Sequence, residues 1–161
     1  MIMGKSVNAF LAKAGSLIVE LKERADVSLK HYDLFQSALG VGPITAATML
    51  VLLCNPEVFK NGREFAAYIG LAPKSSGSGG KNFVTHIPKK CECNNDVRAL
   101  LVQCAHSICR CKHKSDWVSS ILARKPKKVA IIAIANKLAR QLWIMAKKGE
   151  KFEKRFILAA V

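Results

Sequence analysis

The apolar residues of this chain recur at three- and four-residue spacing over most of its length, and this periodicity limits the fold more than any other feature. It predicts a long amphipathic helix from Ser6 to about Lys30, followed by shorter helices whose apolar stripes face one core. Alternation around Phe83, Val84 and Ile87 favours a short strand or hairpin there. The predicted fold class is therefore mostly α, with at most one short β-hairpin.

Three segments are expected along the chain. Residues 1–33 form the amphipathic helix, which is coiled-coil-like and should pair with another helix, such as that of a second copy. Residues 34–150 form the main helical domain, because 161 residues suffice for one sizeable core, and residues 151–161 form a tail. The helices predicted after residue 60 are one from the cap Asn61 to Gly70, one from the cap Asp96 to about Arg110, one over Trp117–Leu122, and one over Val129–Lys147 with a basic stripe through Lys137, Arg140 and Lys147.

The charge of the chain is strongly basic. It has 26 Lys and Arg against 11 Asp and Glu, a formal charge of +15. From Arg110 to Arg155 the acidic residues are only Asp116, Glu150 and Glu153. Such an excess favours a polyanionic partner, with DNA first, although a ribosomal site or an anionic membrane surface would fit the same composition.

Membrane insertion and export are not indicated by the sequence. The longest apolar run, Val129 to Ala135, is far shorter than the ~20 residues of a membrane span. The start does not resemble a signal peptide, so we expect no membrane partner, a cytoplasmic, nucleoid-associated location and reduced cysteines. A zinc-stabilised RNA-binding module is a weaker idea, because Cys-x-Cys spacing is atypical of structural zinc sites, and we predict no metal site. The residues that such a site would use are Cys91, Cys93, Cys109, Cys111 and His113.

The stretch "LGVGPITAATML" predicts a helix, a tight turn and a second helix that begins at Pro43. It has the form of a helix-hairpin-helix turn, in which glycines let the backbone approach a DNA phosphate. Gly40 and Gly42 would be the close-approach positions, and the Thr45 hydroxyl would be a further donor. The alternative is a plain turn between two helices, and the pattern alone leaves both open.

The stretch "GLAPKSSGSGGK", from Gly70 to Lys81, is predicted as a loop. Three interpretations are open for this loop: a flexible linker, a phosphate cradle, or a loop that presents a serine nucleophile. A serine needs a base or a metal to take its proton, and cations to hold the phosphate. Lys81, Lys89 and Lys90 supply the cations, whereas no set of carboxylates in the chain suggests a two-metal site.

The ordered blocks "LGVGPITAATML", "FAAYIGLAP", "SGGK", "VRALLVQCAH" and "KPKKVAIIAIANKLARQLW" together resemble one family. From about Leu34 to about Lys148 the chain is similar to the C-terminal domain of the insertion-sequence 110/116/902 transposases. The resemblance implies a separate RuvC-like domain with acidic ligands for a divalent metal such as Mg²⁺, a coiled coil, and a guide non-coding RNA. It also implies a serine that becomes linked to DNA, and the matching residue is Ser78; Ser75 and Ser76 are less well placed.

The expected function is that of a DNA-binding transposase domain that takes part in transposition and recombination when combined with a RuvC-like acidic domain. The alternative is an inactive remnant or a regulator that binds nucleic acid or an intact transposase. No cofactor is expected in the chain itself, and we expect no strand transfer by the chain alone. Two loops depart from the family pattern, at "KKCECNND" and at Arg124. The expected DNA-binding residues are Gly40, Gly42, Thr45, Lys81, Lys89, Lys90, Arg98, Lys125, Lys127 and Lys128.

Overall fold

The fold is mostly α-helical, as predicted, and is seen in a computed structural model that describes residues 29–73, 75–78, 81–84, 95–112 and 114–151. The predicted first helix before residue 29 and the tail beyond residue 151 lie outside this part of the chain. The helices described are α1 (29–36), α2 (Pro43–Leu52), α3 (Gly62–Tyr68), α4 (Asn95–Arg110), α5 (Asp116–Arg124) and α6 (Lys127–Lys148). A short 3₁₀ helix covers Pro56–Val58, and the antiparallel strands β1 (Ser75–Ser78) and β2 (Lys81–Val84) form a hairpin.

Helix α6 is the centre of the core. Its buried residues include Ile134, Leu138 and Leu142, and α3, α4, α5 and the 3₁₀ helix all pack against it. Among the described helices, α6 has the length and apolar composition of a membrane-spanning helix. However, 67% of its most apolar 18-residue stretch is buried inside the domain. Helix α6 is therefore the core helix around which the other elements assemble.

The predicted turn between α1 and α2 is confirmed. Pro43 is the first residue of α2, where its missing N–H costs no hydrogen bond. Gly40 has a φ of 81°, a left-handed conformation that favours glycine. Leu34 and Phe35 of α1 are buried in the core, so α1 belongs to the packed domain.

Helix α3 begins and ends where the sequence predicts. The Asn61 side chain accepts a hydrogen bond from the Glu64 N–H at 2.9 Å and caps the first turn. Gly70 has a φ of 79°, and its N–H donates to the Ala67 carbonyl while the Leu71 N–H donates to the Ala66 carbonyl. This pair of bonds is the Schellman arrangement, which ends a helix at a left-handed glycine.

Other boundaries differ from the prediction. Helix α4 begins at Asn95, so Asp96 lies in its first turn, where its charge favours the helix dipole, rather than at the cap. Helix α5 begins one residue before Trp117, because the Ser115 hydroxyl accepts from the Val118 N–H at 3.3 Å and sets its start. Helix α6 also starts before the predicted Val129, at Lys127.

The hairpin corrects the prediction of a loop from Gly70 to Lys81. Strand β2 contains Phe83 and Val84, as their alternation predicts, whereas Ser75–Ser78 form its partner strand rather than a loop. In the register of the pair, Ser75 lies opposite Val84 and Ser78 opposite Lys81. The two residues between the strands are glycines in the sequence, the type that two-residue hairpin connections favour.

Candidate nucleic-acid interface

A run of exposed basic side chains extends from the end of α4, through α5, to the first turn of α6. Over residues 110–128 the sequence contains only one acidic residue, Asp116. We call the exposed members the basic surface: Arg110, Lys112, Lys114, Arg124, Lys125, Lys127 and Lys128. Concentrated positive charge of this kind attracts a polyanion and repels other cations.

The fold brings two members of this run, Lys114 and Lys127, near Cys109 on α4. Burial raises the pKa of the Cys109 thiol, and the positive charges of Lys114 and Lys127 act on it in the opposite direction. Two lysines from different elements therefore lie within electrostatic range of one side chain. These two members of the basic surface, thirteen residues apart in the sequence, therefore lie on the same side of the fold as Cys109.

The N-terminus of α6 is unusual for its charge. Its first turn holds Lys127 and Lys128 and no acidic residue, and no side chain caps it. The partial positive charge of a helix N-terminus favours anions and disfavours lysines by roughly 0.3 to 1 kcal/mol each. These lysines therefore do not help the helix, and the position suits a bound anion such as a phosphate.

Two of the predicted DNA-contact residues, Gly40 in the α1–α2 turn and Thr45 in α2, pack against α4 instead. A Cβ at Gly40 would lie 2.7 Å from Ile108 Cγ1 and 2.9 Å from the Cys104 carbonyl oxygen, so glycine permits close packing on α4 rather than on a phosphate. Thr45 is only 5% exposed, and its hydroxyl accepts a hydrogen bond from the Cys104 thiol at 3.5 Å. Gly42, by contrast, has open space beside it.

The other predicted basic contacts fall into three groups. Lys125, Lys127 and Lys128 are exposed and belong to the basic surface. Arg98 is half-buried, and its Nη2 donates to the Asn95 side-chain oxygen at 2.8 Å. Lys81 lies in β2, whereas Lys89 and Lys90 lie outside the described residues.

The predicted basic stripe of α6 is wrong at Lys137. This residue is 6% exposed, and its Nζ lies 4.0 Å from the centre of the Trp117 ring. Lys147 is exposed, but its Nζ lies 3.2 Å from the Glu57 carboxylate. Helical spacing alone did not reveal these contacts, because Trp117 and Glu57 come from other elements.

The predicted nucleophile, Ser78, is the last residue of β1, and the hairpin register pairs it with Lys81. The chain reaches β1 from α3 through Leu71, whose carbonyl oxygen accepts a hydrogen bond from the Asn136 side chain of α6 at 3.1 Å. The core helix thereby fixes the point from which the serine segment departs. Sequence reasoning missed Asn136, because its position one turn before Arg140 gives no signal of this contact.

The described residues do not contain a donor set for a metal ion. No three His, Cys, Asp or Glu side chains in this part of the chain lie close enough together to hold one. Cys109 and Cys111 are free thiols, and Cys91, Cys93 and His113 lie outside the described residues. The described residues therefore do not fit the divalent metal that the resemblance implies.

The family model and the similar proteins found for this chain are all transposases. Residues 32–118 match the family described as "Transposase IS116/IS110/IS902 family". A putative transposase, y4pF/y4sB, from Sinorhizobium fredii is 39% identical over 119 residues, which cover 70% of this chain and 30% of that protein. The transposase for insertion sequence element IS1328 from Yersinia enterocolitica is 36% identical over 120 residues, 71% of this chain and 35% of that protein.

A probable family 20 transposase from Pseudomonas aeruginosa is 35% identical over 111 residues, which cover 66% of this chain and 32% of that protein. The chain thus spans about a third of the length of each of these relatives.

Proposed function

Because this chain belongs to the transposase IS116/IS110/IS902 family, we propose that it is the C-terminal DNA-binding domain of an insertion-sequence transposase. In this proposal it works in DNA transposition together with a RuvC-like acidic domain. The observation that carries the proposal is the basic surface, whose seven side chains are all exposed and of which Lys114 and Lys127 both act electrostatically on Cys109 near the C-terminus of α4. Lysine and arginine side chains of this kind neutralise phosphates and release condensed counterions, which drives binding without sequence preference.

The chemical part of the proposal concerns Ser78. Its hydroxyl oxygen would attack a DNA phosphorus, forming a phosphoserine ester while one P–O bond of the backbone breaks and the departing oxygen takes up a proton. The serine proton needs a base, and in this proposal the acidic domain supplies it. Any divalent metal is likewise proposed to be held by that domain, since the described residues do not fit it.

The test of DNA binding is a salt series with duplex DNA and with structured RNA. The slope of log affinity against log salt should be several units for the unchanged chain, and Lys127→Gln with Lys128→Gln should reduce it by about 2 for DNA. A matched control is Lys30→Gln with Lys60→Gln, which removes two exposed charges outside the basic surface. Absence of saturable DNA binding at low salt would overturn the proposal, and preference for the RNA would identify the guide as the partner.

A second candidate function is a regulator that binds an intact transposase. Exposed apolar residues favour it, because Val51 is 77% and Val58 68% exposed. Beside Val58, an open groove is lined by Phe59 and Tyr68, whose rings lie 5.3 Å apart. Mixing the chain with a full-length relative and measuring mass and strand-transfer inhibition tests this function; separate elution with unchanged activity would exclude it.

A further inference from the structure

We propose that Arg63 and Arg140 together bind a phosphate group, at a site distinct from the basic surface. Arg140 lies thirteen residues beyond Lys127 on α6, which corresponds to about 20 Å along the helix. The shared ligand chemistry is a phosphate, free or within a nucleic acid. The assignment of this phosphate to a DNA backbone rests on the proposed function.

The backbone of α3 brings the two arginines together. Gly62, the first residue of α3, is buried against α6 so closely that a Cβ there would lie 3.2 Å from the Arg140 Cα, Cβ and carbonyl oxygen. Arg63 follows directly and is exposed. The positive charge of Arg63 acts on the Arg140 guanidinium and, after burial, is the second cause that lowers the pKa of Arg140.

Within the part of the chain that the structure describes, the Arg140 guanidinium has a nitrogen without a hydrogen-bond partner. Its Nε is fully buried and has no hydrogen-bond acceptor. Among the described residues the ion pair is that of Lys147 with Glu57, and the Glu64 carboxylate accepts a hydrogen bond from the Lys60 N–H at 2.7 Å. Burial removes hydration from the charged Arg140 guanidinium, and the positive charge of Arg63 repels it. A bound anion would offset both costs.

A phosphate satisfies this arrangement better than a single carboxylate. The guanidinium fork donates two parallel hydrogen bonds to phosphate oxygens, and two arginines match a group that carries several such oxygens. Arg63 is exposed, so a ligand in solution can reach its guanidinium. Sequence reasoning assigned Arg140 to a general basic stripe and gave Arg63 no part, because their meeting depends on how α3 packs on α6.

The experiment is ¹H–¹⁵N NMR of the arginine Nε–H groups in the whole chain, titrated separately with inorganic phosphate and with duplex DNA. The Arg63 and Arg140 signals, assigned with Arg63→Lys and Arg140→Lys, should shift saturably with phosphate. The signal of Arg98, whose guanidinium already bonds Asn95, is the matched control and should move much less. Arg63→Gln, at an exposed position, should abolish the Arg140 shift without unfolding the protein.

The two titrations separate this site from the proposed function. Saturable shifts with phosphate but no DNA binding would keep the site and reject the DNA-binding function. DNA binding together with Arg63 and Arg140 signals that stay unchanged in both titrations would keep the function and reject the site. Shifts of equal size at Arg98, or an Arg140 shift that persists in Arg63→Gln, would also overturn the proposal.

Discussion

The Asn136 side-chain amide donates a hydrogen bond to the Leu71 carbonyl oxygen at 3.1 Å, joining the core helix α6 to the residue that follows the end of α3. Leu71 is 1% exposed, so its carbonyl lies where water does not replace a lost donor. From Leu71 the chain continues to the hairpin that carries Ser78. One side chain thus couples the position of the candidate nucleophile segment to the helix that carries part of the basic surface.

Asn136→Ala should lower the free energy of unfolding by about 1 to 3 kcal/mol, because it leaves a buried carbonyl without a donor. Urea unfolding followed by circular dichroism measures this change. Gln103→Ala, at an exposed position on α4, is the control and should stay within about 0.5 kcal/mol of the unchanged protein. Equal stability of the two variants would show that the hydrogen bond does not hold α3 to α6.

Gly40→Ala should be the most destabilising of three glycine substitutions. Its Cβ would meet Ile108 and the Cys104 backbone below 3.0 Å, in addition to the strain of a left-handed alanine. Gly149→Ala has the same backbone strain, with a φ of 67°, but open space, and should cost about 1 to 2 kcal/mol. Gly40→Ala should cost about 1 to 3 kcal/mol more than that.

Gly42→Ala completes the glycine series as the control that has neither strain nor contact, with a φ of −93°. Its free energy of unfolding should change by less than about 1 kcal/mol. If Gly40→Ala proves as mild as Gly42→Ala in urea unfolding, the close approach of the turn to α4 is wrong.

Lys137→Met should change how stability depends on pH. Burial, and secondly the charge of Arg140, lower the pKa of Lys137 below its ordinary 10.5. Between the lowered pKa and 10.5 the unfolded chain binds more protons than the folded one, so Lys137 makes the free energy of unfolding rise with pH in that window. At pH values below the window, the charged Lys137 lowers the free energy of unfolding. The methionine variant should therefore lack that rise.

Urea unfolding of Lys137→Met and the unchanged protein, from neutral pH up to 10.5, measures the difference. Parallel stability curves for the two proteins would contradict the burial of a charged lysine against Trp117. The variant should bind DNA with an unchanged salt slope, because Lys137 is not on the basic surface.

Ser78→Ala should abolish formation of a covalent protein–DNA adduct when the chain is combined with a RuvC-like acidic domain, while leaving DNA binding unchanged. Denaturing electrophoresis with labelled DNA detects the adduct. Ser76→Ala is the matched control and should retain the adduct. Ser76 lies in the same strand as Ser78, opposite Phe83 of β2. An adduct of normal yield with Ser78→Ala would move the nucleophile to another residue.

The sequence by itself determined the features that depend on a residue and its close neighbours along the chain. Pro43 starts α2, Asn61 caps α3 and Gly70 ends it, because each effect comes from the residue's own backbone preference or nearest N–H groups. The net charge and the family blocks were likewise visible without a structure, and together they indicated the transposase family.

Only the tertiary structure decided which polar groups face solvent. Thr45 and Lys137 looked like surface residues, but Cys104 of α4 and Trp117 of α5 lie against them. The contact of Arg140 with the start of α3 was equally invisible in the sequence. Exposure and partnership depend on elements distant in the chain, so helical spacing fixes which residues share a face but not what that face meets.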